Sequence, residues 1–335
     1  MRKSFELAGQ QVAAGTQVTI GLPVVGQYAG EPVTLPVTVL HGRHEGPVMF
    51  VSAALHGDEI MGMEIVRRVV QQIAPERLRG TLLALPVVNM LAFLRQSRYL
   101  PDGRDLNRSF PGSSSGSLAA RVAHQFLGEV VARSHCGIDL HTGAQHRPNL
   151  PQIRADLSQP EALRLAHAFG APLLLDSEPT PGTLRAFTTR RGIPVLLYEA
   201  SEALRFDETA IRIGVQGVRN VMAALGMVPS RGRAPPTPAV AVSSSWVRAT
   251  RSGVLREPVA LGSAVRKGMS LGTIGDPMGD APQPVTASVA GVVIGRTVLP
   301  LVHEGDALFH IARMEEAQAL TVAARMQRER TRKRY

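Results

Sequence analysis

A chain of 335 residues, 44% of them hydrophobic, holds enough apolar material for one large domain and one small one. Its formal charge of +10 does not point to nucleic acid, because the basic residues are almost all arginine, spread along the chain, with lysine only at Lys3, Lys267 and Lys333 and few aromatics between them. The single cysteine, Cys136, excludes an internal disulfide and a thiolate metal cluster, so any metal site must be built from histidine and carboxylate.

The N-terminal 1-MRKSFELAGQQVAAG-15 lacks the continuous apolar run of a signal peptide, and no stretch approaches the ~18 apolar residues of a membrane span. The expectation is a soluble, cytoplasmic protein with no membrane and no nucleic-acid partner. Residues 1–47 read as short strands and turns, among them 32-PVTLPVTVL-40. Strands and helices then alternate. Strands are predicted at 48–55, 81–89, 137–141, 172–177 and 194–200, and helices at 59–73, 116–133, 161–169 and 207–226. That alternation predicts an α/β fold over 1–228, with a mixed, mostly parallel sheet and helices on both faces.

The composition changes at 229-PSRGRAPPTPAVAVSSS-245, which reads as a linker. Beyond it, 253-GVL through VRKGMSLGTI-274 is echoed by 291-GVV through VHEGDALFHI-311, a repeat that predicts a small all-β barrel-sandwich domain at 246–312, similar to lipoyl and biotinyl carriers. A carrier needs a lysine at the hairpin between the copies, and 275-GDPMGDAPQP-284 has none, so carrier function is rejected. Residues 313–335, ending in the basic 324-ARMQRERTRKRY-335, read as a solvated helical tail.

The chemistry gathers where strands end. In 51-VSAALHGDEIMGMEIVRRVV-70 an apolar run stops at His-Gly-Asp-Glu, and ligands of open α/β sheets bind at such strand ends. His56 and Glu59, three residues apart, can converge on one ion, although such a pair alone is more often a surface pair or helix cap. His141 closes the strand 137-GIDLH-141 at the same sheet edge. His56, Glu59 and His141 together match the two-histidine, one-carboxylate ligation of catalytic zinc, one Zn2+ per chain. Such a site needs a general base, and Glu199 ends the run 194-PVLLYEA-200; Glu202 is the rival. The loop 95-RQSRYLPDGRDLNRSFPG-112 carries Arg98, Arg104, Asn107 and Arg108, and the planar fork of arginine suits carboxylate recognition.

In this order and at these separations, 55-LHGDE-59, 105-DLNRSFPG-112, 139-DLHTG-143 and 198-YEASE-202 resemble the succinylglutamate desuccinylase/aspartoacylase family, a branch of the zinc carboxypeptidase-like hydrolases whose bacterial members also carry a trailing β domain. The resemblance covers residues 30–228. It implies His56, Glu59 and His141 as zinc ligands, Glu199 as general base, and Asn107 and Arg108 as holders of the substrate α-carboxylate. Arg98 takes the place of the carbonyl-polarising arginine, with Arg104 as the alternative. The stretch 147-RPNLPQIRAD-156 is similar to relatives acting on N-acetylated diamino acids. The implied activity is zinc-dependent deacylation of a small anionic N-acyl amino acid. A metallocarboxypeptidase for short peptides and an inactive binding protein of the same fold are the alternatives, and homo-oligomer formation is left open.

Overall fold

The computed structural model describes residues 2–25, 33–230, 232 and 234–331. Parts of the predicted N-terminal segment (1, 26–32), linker (231, 233) and basic tail (332–335) lie outside the described residues. The N-terminal segment forms β1 (Phe5–Leu7) and β2 (Gln10–Val12), paired with each other, then β3 (Thr16–Val25) and β4 (Val33–His41). The alternating region follows as β5 (His44–Ala53), α1 (Met61–Gln71), β6 (Arg79–Leu85), α2 (Met90–Leu94), α3 (Leu118–Glu129) and β7 (Cys136–Gly143). It continues through β8 (Asn149–Ala155), α4 (Pro160–Phe169), β9 (Leu173–Asp176), α5 (Leu184–Arg190), β10 (Val195–Glu202) and α6 (Glu208–Ala224).

The sheet is parallel at its centre, where β5 lies between β6 and β7, and β7 lies between β5 and β10. Antiparallel neighbours flank this core: β4 on β6, and β8 on β10. Central strands read as apolar runs because both faces are covered. On one face α1, α4 and α6 bury Ile65, Leu165 and Val218; on the other α3 buries Val122 and Phe126, whose ring meets Phe50 edge-on at 5.8 Å. α1 shows why a helix forms there: Met61, Ile65, Val66 and Val69 recur at helical spacing and are buried.

β8 was not among the predicted strands. Pro151, Gln152 and Arg154 interrupt its apolar run, yet it pairs β10 on one side and β9 on the other. Its polar residues become useful at the cavity described below.

The C-terminal part comprises β11 (Ala239–Ala241), β12 (Ser244–Arg248), β13 (Gly253–Arg256), β14 (Ala264–Val265), β15 (Ser270–Gly275), β16 (Gln283–Thr286), β17 (Gly291–Arg296), β18 (Leu301–Val302), β19 (Ala307–Arg313) and α7 (Glu316–Thr331). The repeat is visible in the pairing. β13 pairs β15 as β17 pairs β19, and each copy lends its short strand to the other, β18 to β13 and β14 to β17. β12 on β19 and β16 on β15 complete the correspondence. A single bridge, Gly295 to Asn149, joins β17 to β8 and so continues the central sheet into the module.

Two stretches differ from their sequence reading. Ala239–Ala241, inside the predicted linker, adds a parallel strand beside β9, since its short apolar run is enough to pair once an edge is available. α7 is docked rather than solvated: Ala319, Val322 and Met326 are buried, and Arg325 donates to the carbonyls of Gly170 (2.5 Å) and Ala171 (3.0 Å) at the end of α4. Among the described residues, no helix is long and apolar enough to cross a membrane.

Candidate metal centre and active site

β5 ends at Ala53, and Ala54, at φ 50°, turns the chain out of the sheet. The turn lies beneath α2: Asn89 Nδ2 donates to the Leu55 carbonyl at 3.2 Å, and a Cβ on Gly57 would fall 2.0 Å from the Ala92 carbonyl carbon. Only glycine fits at that close approach. The turn delivers His56 and Glu59, both buried, to the edge where β7 places His141.

Glu59 sits between the two imidazoles. Oε1 is 2.7 Å from His56 Nδ1, Oε2 is 2.7 Å from His141 Nδ1, and the Thr142 N–H donates to Oε2 at 3.0 Å. Each imidazole is anchored by its other nitrogen: His56 Nε2 lies 3.2 Å from Asp105 Oδ1, and His141 Nε2 lies 2.7 Å from Asp139 Oδ2. Asp139 in turn accepts from Ser52 Oγ at 2.7 Å. Burial alone would raise the Glu59 carboxyl, but His56 and His141 carry it well below the usual carboxylate range. Burial would likewise lower His141, yet Asp139 and Glu59 hold it well above the ordinary histidine value.

The donor set suits zinc. Ligand atoms of His56, Glu59 and His141 lie within 4.8 Å of one another, and a carboxylate behind each imidazole fixes its tautomer and orientation as metal ligation requires. Asp105 and Asp139 were not singled out in the sequence, although Asp139 stands two residues before His141 on a strand and therefore shares its face.

Glu199 on β10 pairs in parallel register with His141 on β7. Neighbouring strands lie about 4.8 Å apart, so the two side chains emerge side by side. Asn149 Nδ2 donates to Glu199 Oε1 at 3.0 Å, and Arg154 Nε lies 3.3 Å from Oε2. Glu202 is instead buried against Arg205.

His56, Glu59, His141, Glu199, Arg98, Asn107 and Arg108 all line one cavity of about 460 Å³. Arg98 donates to Asp105 through Nε and Nη2 (3.2 and 2.9 Å) and points Nη1 to within 3.4 Å of Glu59 Oε1. Arg104 is absent from the lining; its side chain is exposed and meets Asp102 at 3.2 Å. Asn107 Oδ1 accepts from the Leu184 N–H at 3.0 Å, tying the loop to the start of α5. The cavity is also walled by Arg147, Arg154 and Arg185, and by Trp246 and His310 of the C-terminal module, none of which was assigned a site role in the sequence reading.

The profile of the Succinylglutamate desuccinylase/Aspartoacylase catalytic domain matches residues 45–225, from β5 into α6 and over half of the chain. The chain belongs to the succinylglutamate desuccinylase/aspartoacylase family. An N-alpha-acetyl-L-2,4-diaminobutyric acid deacetylase of Halomonas elongata is 29% identical over 302 residues, covering 85% of this chain and 87% of that protein. A succinylglutamate desuccinylase of Pseudomonas aeruginosa is 32% identical over 117 residues, 32% of this chain and 35% of that one. Among solved structures, a succinylglutamate desuccinylase/aspartoacylase from Rhodobacter sphaeroides has a TM-score of 0.77 at 28% identity, over 89% of this chain and 95% of that one. The product-bound ectoine utilization protein EutE (DoeB) of Ruegeria pomeroyi shares the fold, with a TM-score of 0.81 at 22% identity over 94% and 100% of the two chains. All four sequence motifs fall inside the family's catalytic region.

Proposed function

We propose that this protein is a zinc-dependent amidohydrolase that removes the acyl group from a small N-acyl amino acid. The observation that carries this reading is the register of Glu199 beside His141, in one cavity with His56 and Glu59. His56, Glu59 and His141 would hold one zinc ion through two imidazole nitrogens and a carboxylate oxygen. When bound, zinc supplies Lewis acidity that polarises the scissile carbonyl and eases removal of a proton from water.

Glu199 takes the proton of the attacking water and returns it to the departing amine. Asn149 and Arg154 keep its carboxylate oriented between those two acts. Arg98, anchored by Asp105 and reaching the ligand cluster with Nη1, meets the negative charge that develops on the carbonyl oxygen. Arg108 grips the α-carboxylate, assisted by the Asn107 amide group, whose oxygen is already engaged with Leu184. Arg98, Arg108, Arg147, Arg154 and Arg185 outnumber Glu59, Asp139, Glu178 and Glu199 in the lining, which favours a small anionic substrate. The Halomonas elongata relative makes N-acetylated diamino acids the first candidates. We further propose that the C-terminal module is a lipoyl/biotinyl-like barrel-sandwich without a carrier lysine, and that the reaction is cytoplasmic.

The test is a panel of N-acetyl, N-succinyl and N-formyl amino acids beside dipeptides, with released amine as readout. At least one N-acyl amino acid should turn over faster than every dipeptide. Preference for dipeptides, or no turnover across the panel, would defeat the reading.

A further inference from the structure

From β7 the sheet order runs through β10, β8, β17 and β19 to β12, so the C-terminal module lies beyond Glu199 on the side away from His141. β12 and β19 are antiparallel, with Trp246 directly opposite His310. The indole and imidazole stack at 4.5 Å with an interplanar angle of 9°, and both line the cavity that contains the metal-ligand cluster and Glu199. Gly295 of β17 explains how they reach it. A Cβ there would lie 2.8 Å from Asn149 Oδ1 and 3.3 Å from His310 Cβ, so the missing side chain lets His310 close against the residue that holds Glu199. His310 Nε2 is 2.8 Å from Ser244 Oγ, while Nδ1 is buried without a protein partner, a cost of the kind retained at ligand sites.

We infer that Trp246 and His310 form a substrate-contacting wall of the catalytic cavity and determine which N-acyl amino acid fits, an inference that rests on the deacylase reading above. Burial, and then the neighbouring Arg154, pull His310 down to about 4, so the ring is uncharged at neutral pH. Trp246 is 36% exposed, enough to offer its indole to a ligand while His310 backs it. An uncharged flat surface of this kind suits an alkyl portion of the substrate. Two parts of an N-acyl amino acid can supply it, the acyl chain and the amino-acid side chain.

Trp246 is the only tryptophan in the chain, so its emission reports on this wall. The experiment uses the full-length, zinc-loaded Glu199→Gln protein and two ligand series: acetyl, propionyl and butyryl derivatives of one amino acid, and acetyl derivatives of glycine, alanine and leucine. Calorimetry measures binding while tryptophan emission is followed. The emission change should saturate with calorimetric binding, and affinity should vary along one series, which identifies the group that meets the wall. In the otherwise native enzyme, Trp246→Ala should lower kcat/KM by roughly ten-fold or more, mainly through KM, and flatten the preference along that series. Trp246→Phe should retain it, and Met278→Ala, on an exposed tip of the same module, should match the parent. If a ligand bound by calorimetry leaves the emission unmoved and Trp246→Ala keeps the parental preference, the inference falls while the deacylase reading stands. If no member binds while the parent turns over another N-acyl amino acid, the inference falls alone; if the parent turns over no N-acyl amino acid, the deacylase reading falls and this inference with it.

Discussion

Glu59 is enclosed by two imidazoles, whereas Glu199 is held by an amide and a guanidinium, and the proposed function gives them different work. Glu59→Gln should weaken zinc binding, because a neutral amide is a poorer ligand than a carboxylate. Glu199→Gln leaves all three ligand side chains intact, so zinc should stay near full occupancy while turnover falls by roughly 10²- to 10⁴-fold. Plasma mass spectrometry beside amine release separates the two; a Glu199→Gln protein with near-parental turnover would move the base elsewhere. The arginines divide in the same manner. Arg98→Ala should lower kcat by roughly 10²-fold, the size of effect seen when one oxyanion donor is removed, whereas Arg104→Ala, altering an exposed pair with Asp102, should change steady-state constants little. Equal losses in both variants would show that Arg98 has no special place at the carbonyl.

At the scale of elements, α1 has two tasks: its N-terminal side follows the turn that carries His56 and Glu59, and its C-terminal side is pinned to α6. Glu64 accepts from Arg67 and from Arg68, and Arg68 also forms a two-pronged pair with Glu208 at 2.6 and 2.8 Å. Hydrogen bonding from Arg67, and after it from Arg68, outweighs partial burial and draws the Glu64 carboxyl from 4.5 to about 2. A carboxylate depressed in the folded state stabilises it above the unfolded pKa, and that contribution disappears as pH falls through the folded value. Glu64→Gln should therefore cost on the order of 1 kcal/mol at pH 7 by denaturant unfolding, with the gap to the parent closing between pH 4.5 and about 2. A gap that stays constant down to the acid end of that window would contradict the pairing.

For the whole molecule, what was legible depended on whether the signal was local. Apolar runs that stop at His56, His141 and Glu199 announce buried strands with chemistry at their ends, and the helical spacing of α1, α4 and α6 was readable for the same reason. β8 was not, because Asn149 and Arg154, the residues with which it holds Glu199, are polar and break a strand pattern. The meeting of Trp246 with His310 is produced by the pairing of β12 with β19, and no short window of sequence contains both. Which of Arg98 and Arg104 reaches the cavity depends on loop geometry, which spacing alone does not supply. In the molecule that results, the largest sheet passes from His141 through Glu199 to the C-terminal module, and the proposed function turns on the cluster of His56, Glu59 and His141 making the reaction metal-dependent. The most direct measurement is turnover of the best N-acyl amino acid after chelator treatment and dialysis, followed by zinc titration. Activity should vanish with the metal and return in full at about one zinc per chain, as a site with three protein ligands requires. A metal-free protein, verified by plasma mass spectrometry, that still releases amine at the parental rate would contradict the account.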